Sequence, residues 1–182
     1  RGHWSVYADA LRQNEEVMKA TAEPESVNKH SAARIWRVYL FHQVTDLHGD
    51  VPYSDALNTD NIKPKYDRQE DIYLDMLNEL EQAANAFDPS SPTFENADLF
   101  YGGNIDQWQK FAYSLMLRLG MRLTEVRPDV AEEYVKKAIA GGVITEDIDI
   151  TRIEYTSGGT ENERNPKADF MRSIDDLDPY AD

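Results

Sequence analysis

The 182-residue sequence contains no cysteine. That absence excludes disulfides, thiolate metal sites, cysteine nucleophiles and thioether lipid attachment from this stretch. Basic residues are also scarce, 19 Lys and Arg against 34 Asp and Glu, for a formal charge of -15 and a pI near 4.6. A surface that tracks nucleic-acid phosphates needs clustered cations, so no nucleic-acid partner is expected, and attraction to anionic lipid is disfavoured for the same reason. No apolar run approaches the roughly 20 residues of a membrane-crossing helix, because Arg34 and Arg37 interrupt one stretch and Arg118 and Arg122 the other. The chain opens on Arg1-Gly2-His3-Trp4, without an initiator Met or a signal-peptide pattern, which reads as a mature or trimmed product. What is present is enough apolar material for a core, 41% hydrophobic and 10% aromatic, so wholesale disorder is not expected.

Apolar spacing predicts helices. Residues 4–22 carry Trp4, Tyr7, Ala10, Leu11, Val17 and Met18 at helical intervals that end before Pro24. Over about 27–48, Ile35, Trp36, Tyr39, Leu40, Val44 and Leu47 form one broad stripe, closed by Gly49, a residue suited to a positive-φ cap. Residues 49–66 read as loop. Asp67, three residues before Glu70, has capping-box spacing for a helix carrying Ile72, Tyr73, Met76, Leu77, Leu80, Ala83, Ala84 and Phe87. A second long loop, 88–104, precedes Asn104 and Gln107, which repeat that spacing. The helix they open runs to about 125 and is apolar on most sides, as expected of one buried between layers. Pro128 suits a first helical turn, and Gly141-Gly142 closes the last amphipathic stripe.

After Val143 the composition changes. Residues 145–182 hold 11 acidic and 4 basic side chains, -7 of the total charge. We therefore divide the chain into a helical body, 1–144, and a polar acidic segment, 145–182, in which Ile148, Ile150, Ile153 and Tyr155 suit a short edge strand. Helix starts near 27, 69, 105 and 129, the last pair joined by a short turn, suit stacked helix hairpins. Ala83 and Phe87 match one half of a tetratricopeptide pattern whose Trp-Leu-Gly-Tyr half is missing. The fold class expected is all-α.

Catalytic signatures are sparse. His3, His30, His42 and His48 show no zinc-protease spacing, and no nucleophile elbow or phosphate loop occurs. His42, inside the second helix, reads as a packed or surface histidine. Asp46 and Asp50 flank a helix end like a glycosidase pair, but such a pair works only when its two pKa values are pushed apart at a suitable separation. Structural roles are favoured: Asp46 bonding backbone amides or Arg34 or Arg37, and Asp50 fixing the turn before Pro52. Asp176, Asp178 and Asp182 lack the glycine and glutamate of a calcium loop, so neither metal nor cofactor is expected. The aromatics outside the stripes, Tyr53, Tyr66, Phe94, Phe100, Tyr101, Tyr155 and Tyr180, offer flat faces on which sugar rings stack, although most such residues staple loops to the body. Trp36 and Trp108 are assigned to the core.

The stretch Ala33 to Ser54, ending Thr45-Asp46-Leu47-His48-Gly49-Asp50-Val51-Pro52-Tyr53-Ser54, closely resembles the signature region of the SusD/RagB nutrient-binding lipoproteins of Bacteroidetes, with His48 departing from an aromatic slot. Pro64-Lys65-Tyr66-Asp67, Asp98-Leu99-Phe100-Tyr101-Gly102-Gly103 and the run from Trp108 to Leu123 resemble further family pieces in the same order. The resemblance covers residues 1–145 well and the tail loosely. It implies tetratricopeptide-like hairpins and a non-catalytic cell-surface protein of the outer membrane. Such a protein captures glycans or other nutrients for a SusC-like TonB-dependent transporter. It also implies a lipid anchor whose cysteine this chain lacks, and a chain that is an interior portion of a longer protein. Arg118 and Arg122 are expected in internal ion pairs. Tyr53, Tyr66 and Tyr101 are the expected ligand or transporter contacts. The reading from a different class is a helical-repeat scaffold that binds protein and no small molecule.

Overall fold

The computed structural model describes residues 3–57, 61 and 63–153, with side chains from Tyr7 onward. Of the residues singled out above, the side chain of Trp4, and Tyr155, Asp176, Asp178, Tyr180 and Asp182, lie outside the described residues. Five helices follow in order: α1 (His3–Ala20), α2 (Val27–His48), α3 (Gln69–Asn85), α4 (Ile105–Arg122) and α5 (Pro128–Gly141). Each packs on the next, and α2 also touches α4, so the five helices form a stack of hairpins. No strand occurs among the described residues; a lone bridge pairs Val51 with Asp67 and closes the loop between α2 and α3.

α2 is central because it is apolar around much of its circumference. Ile35, Val38, Phe41 and Val44 are almost fully buried, as are Ala32, Ala33 and Leu40 on neighbouring turns. A helix of that kind must be covered on several sides, and α1, α3 and α4 cover it. Ile72, Met76, Leu77 and Leu80 of α3 and Met116 and Leu119 of α4 complete the core. Each fully buried large aliphatic or aromatic side chain in this seam contributes ~1.5–3 kcal/mol against the chain entropy lost on folding.

The helix ends follow local chemistry. Gly49 takes φ +72 and donates its N–H to the Thr45 carbonyl at 2.8 Å, while the Thr45 hydroxyl donates to the Gly49 carbonyl at 2.7 Å. Asn104 caps α4 by accepting from the Asp106 and Gln107 N–H groups, but the reciprocal half of the box is missing because the Gln107 amide is used elsewhere, donating to the Ile148 carbonyl at 2.8 Å. Pro128 occupies the first turn of α5 and Gly142 closes it at φ +93.

The capping box expected at Asp67 does not form. α3 begins at Gln69, its flanking Arg68 makes no side-chain cap, and the Gln69 N–H is met by the Asp50 carboxylate at 2.9 Å. An acid 19 residues earlier thus does the capping, which sequence spacing alone does not reveal. Asp147–Asp149 forms a single 3-10 turn, with no edge strand among the described residues that follow, and Lys110 and Gln107 of α4 hold Asp149. The first compact unit runs from Arg1 to Thr151, and a second begins at Arg152. Within 145–151, Ile148 and Asp149 are bonded to Gln107 and Lys110 of α4, and Thr151 to Tyr101.

His42 is 2% exposed. Its Nδ1 lies 2.6 Å from the Tyr39 carbonyl, and burial lowers its pKa, only partly opposed by that carbonyl and by Asp46, while Arg118 and Arg122 act with burial. A histidine depressed in the fold contributes stability that is present above its unfolded pKa, near 6.5, and is lost as pH falls through the lower folded value. Stability should therefore decline on acidification below about pH 6.5, and His42→Gln should flatten that limb when unfolding free energy is measured by urea titration at successive pH values.

Candidate functional site

The signature segment folds into a clasp joining α2, α3 and α4. Asp67 turns inward and its Oδ2 accepts from the Tyr53 N–H at 3.1 Å, the Ser54 N–H at 2.7 Å and the Ser54 hydroxyl at 2.7 Å. Gln69 donates its amide to the Thr45 carbonyl at 2.7 Å. These bonds, with the Asp50 cap, fix the Pro52-Tyr53-Ser54 turn on the start of α3. The Ser54 N–H, its hydroxyl and the Tyr53 N–H outweigh burial and lower the Asp67 pKa to about 2, with Lys65 adding to them. A depressed carboxylate contributes stability that is present above its unfolded pKa and lost as pH falls through the folded one. Asp67→Asn should therefore be less stable than the parent at neutral pH, and the gap should close as pH falls toward about 2, measured by thermal melts.

Asp46 closes the clasp on the other side. Its two oxygens accept from the Tyr73 hydroxyl and from Arg122, whose Nη1 also approaches the Tyr73 oxygen at 3.3 Å. Burial, then the bond to Asp46, raises the Tyr73 pKa to about 12, and Arg122 is raised chiefly by its contact with Tyr73. The expected pairing of Asp46 with Arg34 or Arg37 does not occur. Those residues lie 12 and 9 positions away on one rigid helix, roughly 18 and 13 Å along its axis at 1.5 Å per residue. Arg34 instead grips Glu79 through two bonds of 2.8 and 2.9 Å. Arg122 forms the internal pair expected of it; Arg118 is exposed and forms no ion pair among the described residues.

Two clefts flank the clasp. The larger, about 560 Å³, is lined by Asp46, Gln69, Glu70, Tyr73, Arg122, Leu123 and Val126. Its volume suits a small ligand, and it sets a few convergent polar groups beside an apolar floor. Both oxygens of Asp46 already accept from protein donors, Tyr73 and Arg122, which orients the carboxylate at the edge of this cleft. The second cleft, about 370 Å³, lies on the opposite side of α3 and is lined by Arg37, Tyr53, Ser54, Asp67, Asp71, Ile72, Asp75 and Glu79.

The three tyrosines do not come together. Tyr53 is 5% exposed, its ring edge-on to Phe41 and its hydroxyl donating to Asp75 at 2.5 Å. Tyr101 is 8% exposed, donates to the Asp149 carbonyl at 2.9 Å and packs edge-on to Trp108. Both staple loops to the body. Tyr66 is the one of the three that is open to solvent, 66% exposed on the segment before α3. Trp108 is core, whereas Trp36 is only partly buried, stacked on Tyr39 at 4.8 Å and lining an apolar hollow with Phe94 and Phe100. Arg37, Arg122 and Gln69 emerge as cleft residues that sequence reasoning did not single out as a site, since what unites them is the crossing of three helices.

An all-α stack of hairpins of this kind defines a tetratricopeptide-like helical fold. Within that class the relationship is specific. A family model described as "Starch-binding associating with outer membrane", SusD-like, matches residues 1–177, and the chain belongs to that family. Among solved structures, a SusD-like protein of Bacteroidetes is 37% identical over 87% of this chain, with a TM-score of 0.76. A chitin-binding protein is 36% identical over 81%, with a TM-score of 0.75, and a SusD homologue of Bacteroides uniformis 30% identical over 84%, at 0.70. The chain spans 30%, 32% and 31% of the lengths of these three relatives. Comparison with the curated proteins finds no match.

Proposed function

We propose that this chain is part of a cell-surface protein of the outer membrane that captures glycans or related nutrients and passes them to a SusC-like TonB-dependent transporter, breaking no bond. The match of the SusD-like family model over residues 1–177 carries this reading, and the likeness to a chitin-binding protein supports the ligand class. The geometry is compatible with capture. The larger cleft offers the Arg122 guanidinium, the Glu70 carboxylate and the Gln69 amide oxygen to hydroxyl groups, above Leu123 and Val126. Tyr66 supplies the exposed ring on which a sugar face can stack, whereas Tyr53 and Tyr101 act by holding the loops in place. Membrane attachment is assigned to a lipid anchor outside this chain. The acidic segment from 145 onward is proposed as the start of a further region of the same protein, the part after Thr151 being its separate portion.

Affinity electrophoresis through gels containing starch, chitin derivatives and other polysaccharides tests the capture step. Retardation by at least one glycan is expected, weakened by Tyr66→Ala. No retardation in any gel, together with co-purification of a transporter, would favour the protein-interaction scaffold instead. Release of shortened sugars on incubation, abolished by Asp46→Asn, would overturn the non-catalytic reading.

A further inference from the structure

Arg37 is held in an unusual way for a residue facing a cleft. Its guanidinium lies against two neighbouring aromatic rings that pack edge-on with centroids 4.7 Å apart, 4.6 Å from the centroid of Phe41 and 4.7 Å from that of Tyr53. Contact with both rings restrains the group while leaving N–H donors free to bond. Within the protein those donors are underused: Arg37 bonds only to Tyr53, at a long 3.4 Å to its carbonyl and to its hydroxyl, and no carboxylate pairs with it among the described residues. Yet four acids line the same cleft. Two of them are committed elsewhere, Glu79 to Arg34 and Asp67 to the 53–54 turn. The other two are available. Asp71 is exposed and makes no hydrogen bond or ion pair among the described residues, and Asp75, one turn on, uses one oxygen for the Tyr53 hydroxyl.

We propose that this cleft is a subsite for a neutral sugar residue, gripped between the ring-supported Arg37 guanidinium and the carboxylates of Asp71 and Asp75. The proposal rests on the glycan-capture reading above and adds a place and a charge class to it. A hydroxyl group is the ligand chemistry that satisfies both walls, because its oxygen accepts from the guanidinium while its proton goes to a carboxylate. An anionic sugar meets two uncompensated carboxylates against one cation and is repelled. A simple cation leaves the Arg37 donors unmet and faces its charge. The ring contacts also lower the entropy lost on binding, since the guanidinium is already restrained. At about 370 Å³ the cleft lies at the small end of the range for ligand sites, the size for a short segment of a chain and not a long one.

The test is a nuclear magnetic resonance titration of the full 182-residue chain with maltotriose, cellotriose, chitotriose and trigalacturonate. At least one neutral trisaccharide should shift the Arg37 Nε–H resonance together with the Ser54 and Asp71 amides, and trigalacturonate should bind at least about tenfold more weakly. Asp71→Asn, which touches no structural contact, should weaken the neutral ligand about tenfold, the equivalent of one charge-assisted hydrogen bond. Arg37→Lys, which keeps the charge and loses the planar fork, should weaken the neutral ligand as well and lower the melting temperature slightly through the lost ring contacts, so Asp71→Asn is the cleaner of the two variants. Neutral-sugar shifts confined to other residues, unaffected by Asp71→Asn, would overturn the subsite and leave glycan capture standing. Equal binding of trigalacturonate would overturn the charge argument, and the absence of shifts with every sugar would count against both subsite and capture.

Discussion

Replacing Asp98 with alanine is expected to cost on the order of 4 kcal/mol of stability, a large share of the ~5–15 kcal/mol that holds a domain folded. The carboxylate is 9% exposed and each of its oxygens accepts twice. Oδ1 takes the N–H groups of Phe100 and Tyr101 at 3.0 and 3.2 Å, and Oδ2 takes the Gly103 N–H at 3.0 Å and the Trp108 indole N–H at 2.7 Å. Alanine leaves these donors without an acceptor, two of them on residues that are themselves buried, Tyr101 and Trp108. An unsatisfied buried donor costs ~1–3 kcal/mol, and the four do not add fully because the loop can relax toward water. Asparagine should recover less than half, since its amide keeps one acceptor oxygen and turns an NH2 group toward two donors. Urea unfolding followed by tryptophan fluorescence reads the change as a shift in midpoint at constant slope. A loss below about 1 kcal/mol, the value of a single ordinary hydrogen bond, would mean that the loop does not depend on this acid.

The second large effect is expected at Gly103, with its neighbour as the control. Gly102 and Gly103 both hold positive φ, +59 and +83, so alanine at either pays roughly 1 kcal/mol for a backbone conformation that L-residues avoid. At Gly102 a methyl group meets open space. At Gly103 it would sit 2.3 Å from the Thr93 hydroxyl and 2.8 Å from the Glu95 backbone nitrogen, and the second of these is not free to swing away. Overpacking of that kind adds ~1–3 kcal/mol. Gly103→Ala should therefore lose about 3 kcal/mol against about 1 for Gly102→Ala, on the combined strain and packing scale, and the difference is the informative quantity. Equal losses would show that the 93–95 turn yields to the methyl group.

Both predictions fall in the 94–104 loop, where the sequence reading looked for ligand-facing aromatics. Part of its architecture was legible. An aspartate two and three residues ahead of the amides it accepts is an ordinary turn signal, and Asn104 before Gln107 marked the start of α4 correctly. The bond from Asp98 to the indole of Trp108 was not legible, because nothing in local spacing says that a side chain one helical turn into α4 folds back over the loop. The same distinction explains Tyr53 and Tyr101. Loop membership suggested exposed faces, yet the Asp75 carboxylate and the Asp149 carbonyl, 22 and 48 residues away in sequence, supply partners for their hydroxyls and draw the rings inward. Tyr66 has no hydrogen-bond partner among the described residues and stays in solvent.

The five helices were determined by the sequence itself, because a helix is a local structure whose apolar period, caps and breakers all lie within its own length. So was membership in the SusD-like family, which rests on residue order. The tertiary structure alone decided the pairings: Asp50 with the start of α3, Asp46 with Tyr73 and Arg122, and Arg37 with the rings of Phe41 and Tyr53. A charged side chain carries no record of its partner. Which acid meets which base, and which cation is left facing a cleft, is settled only when packing of the apolar stripes brings helix ends together.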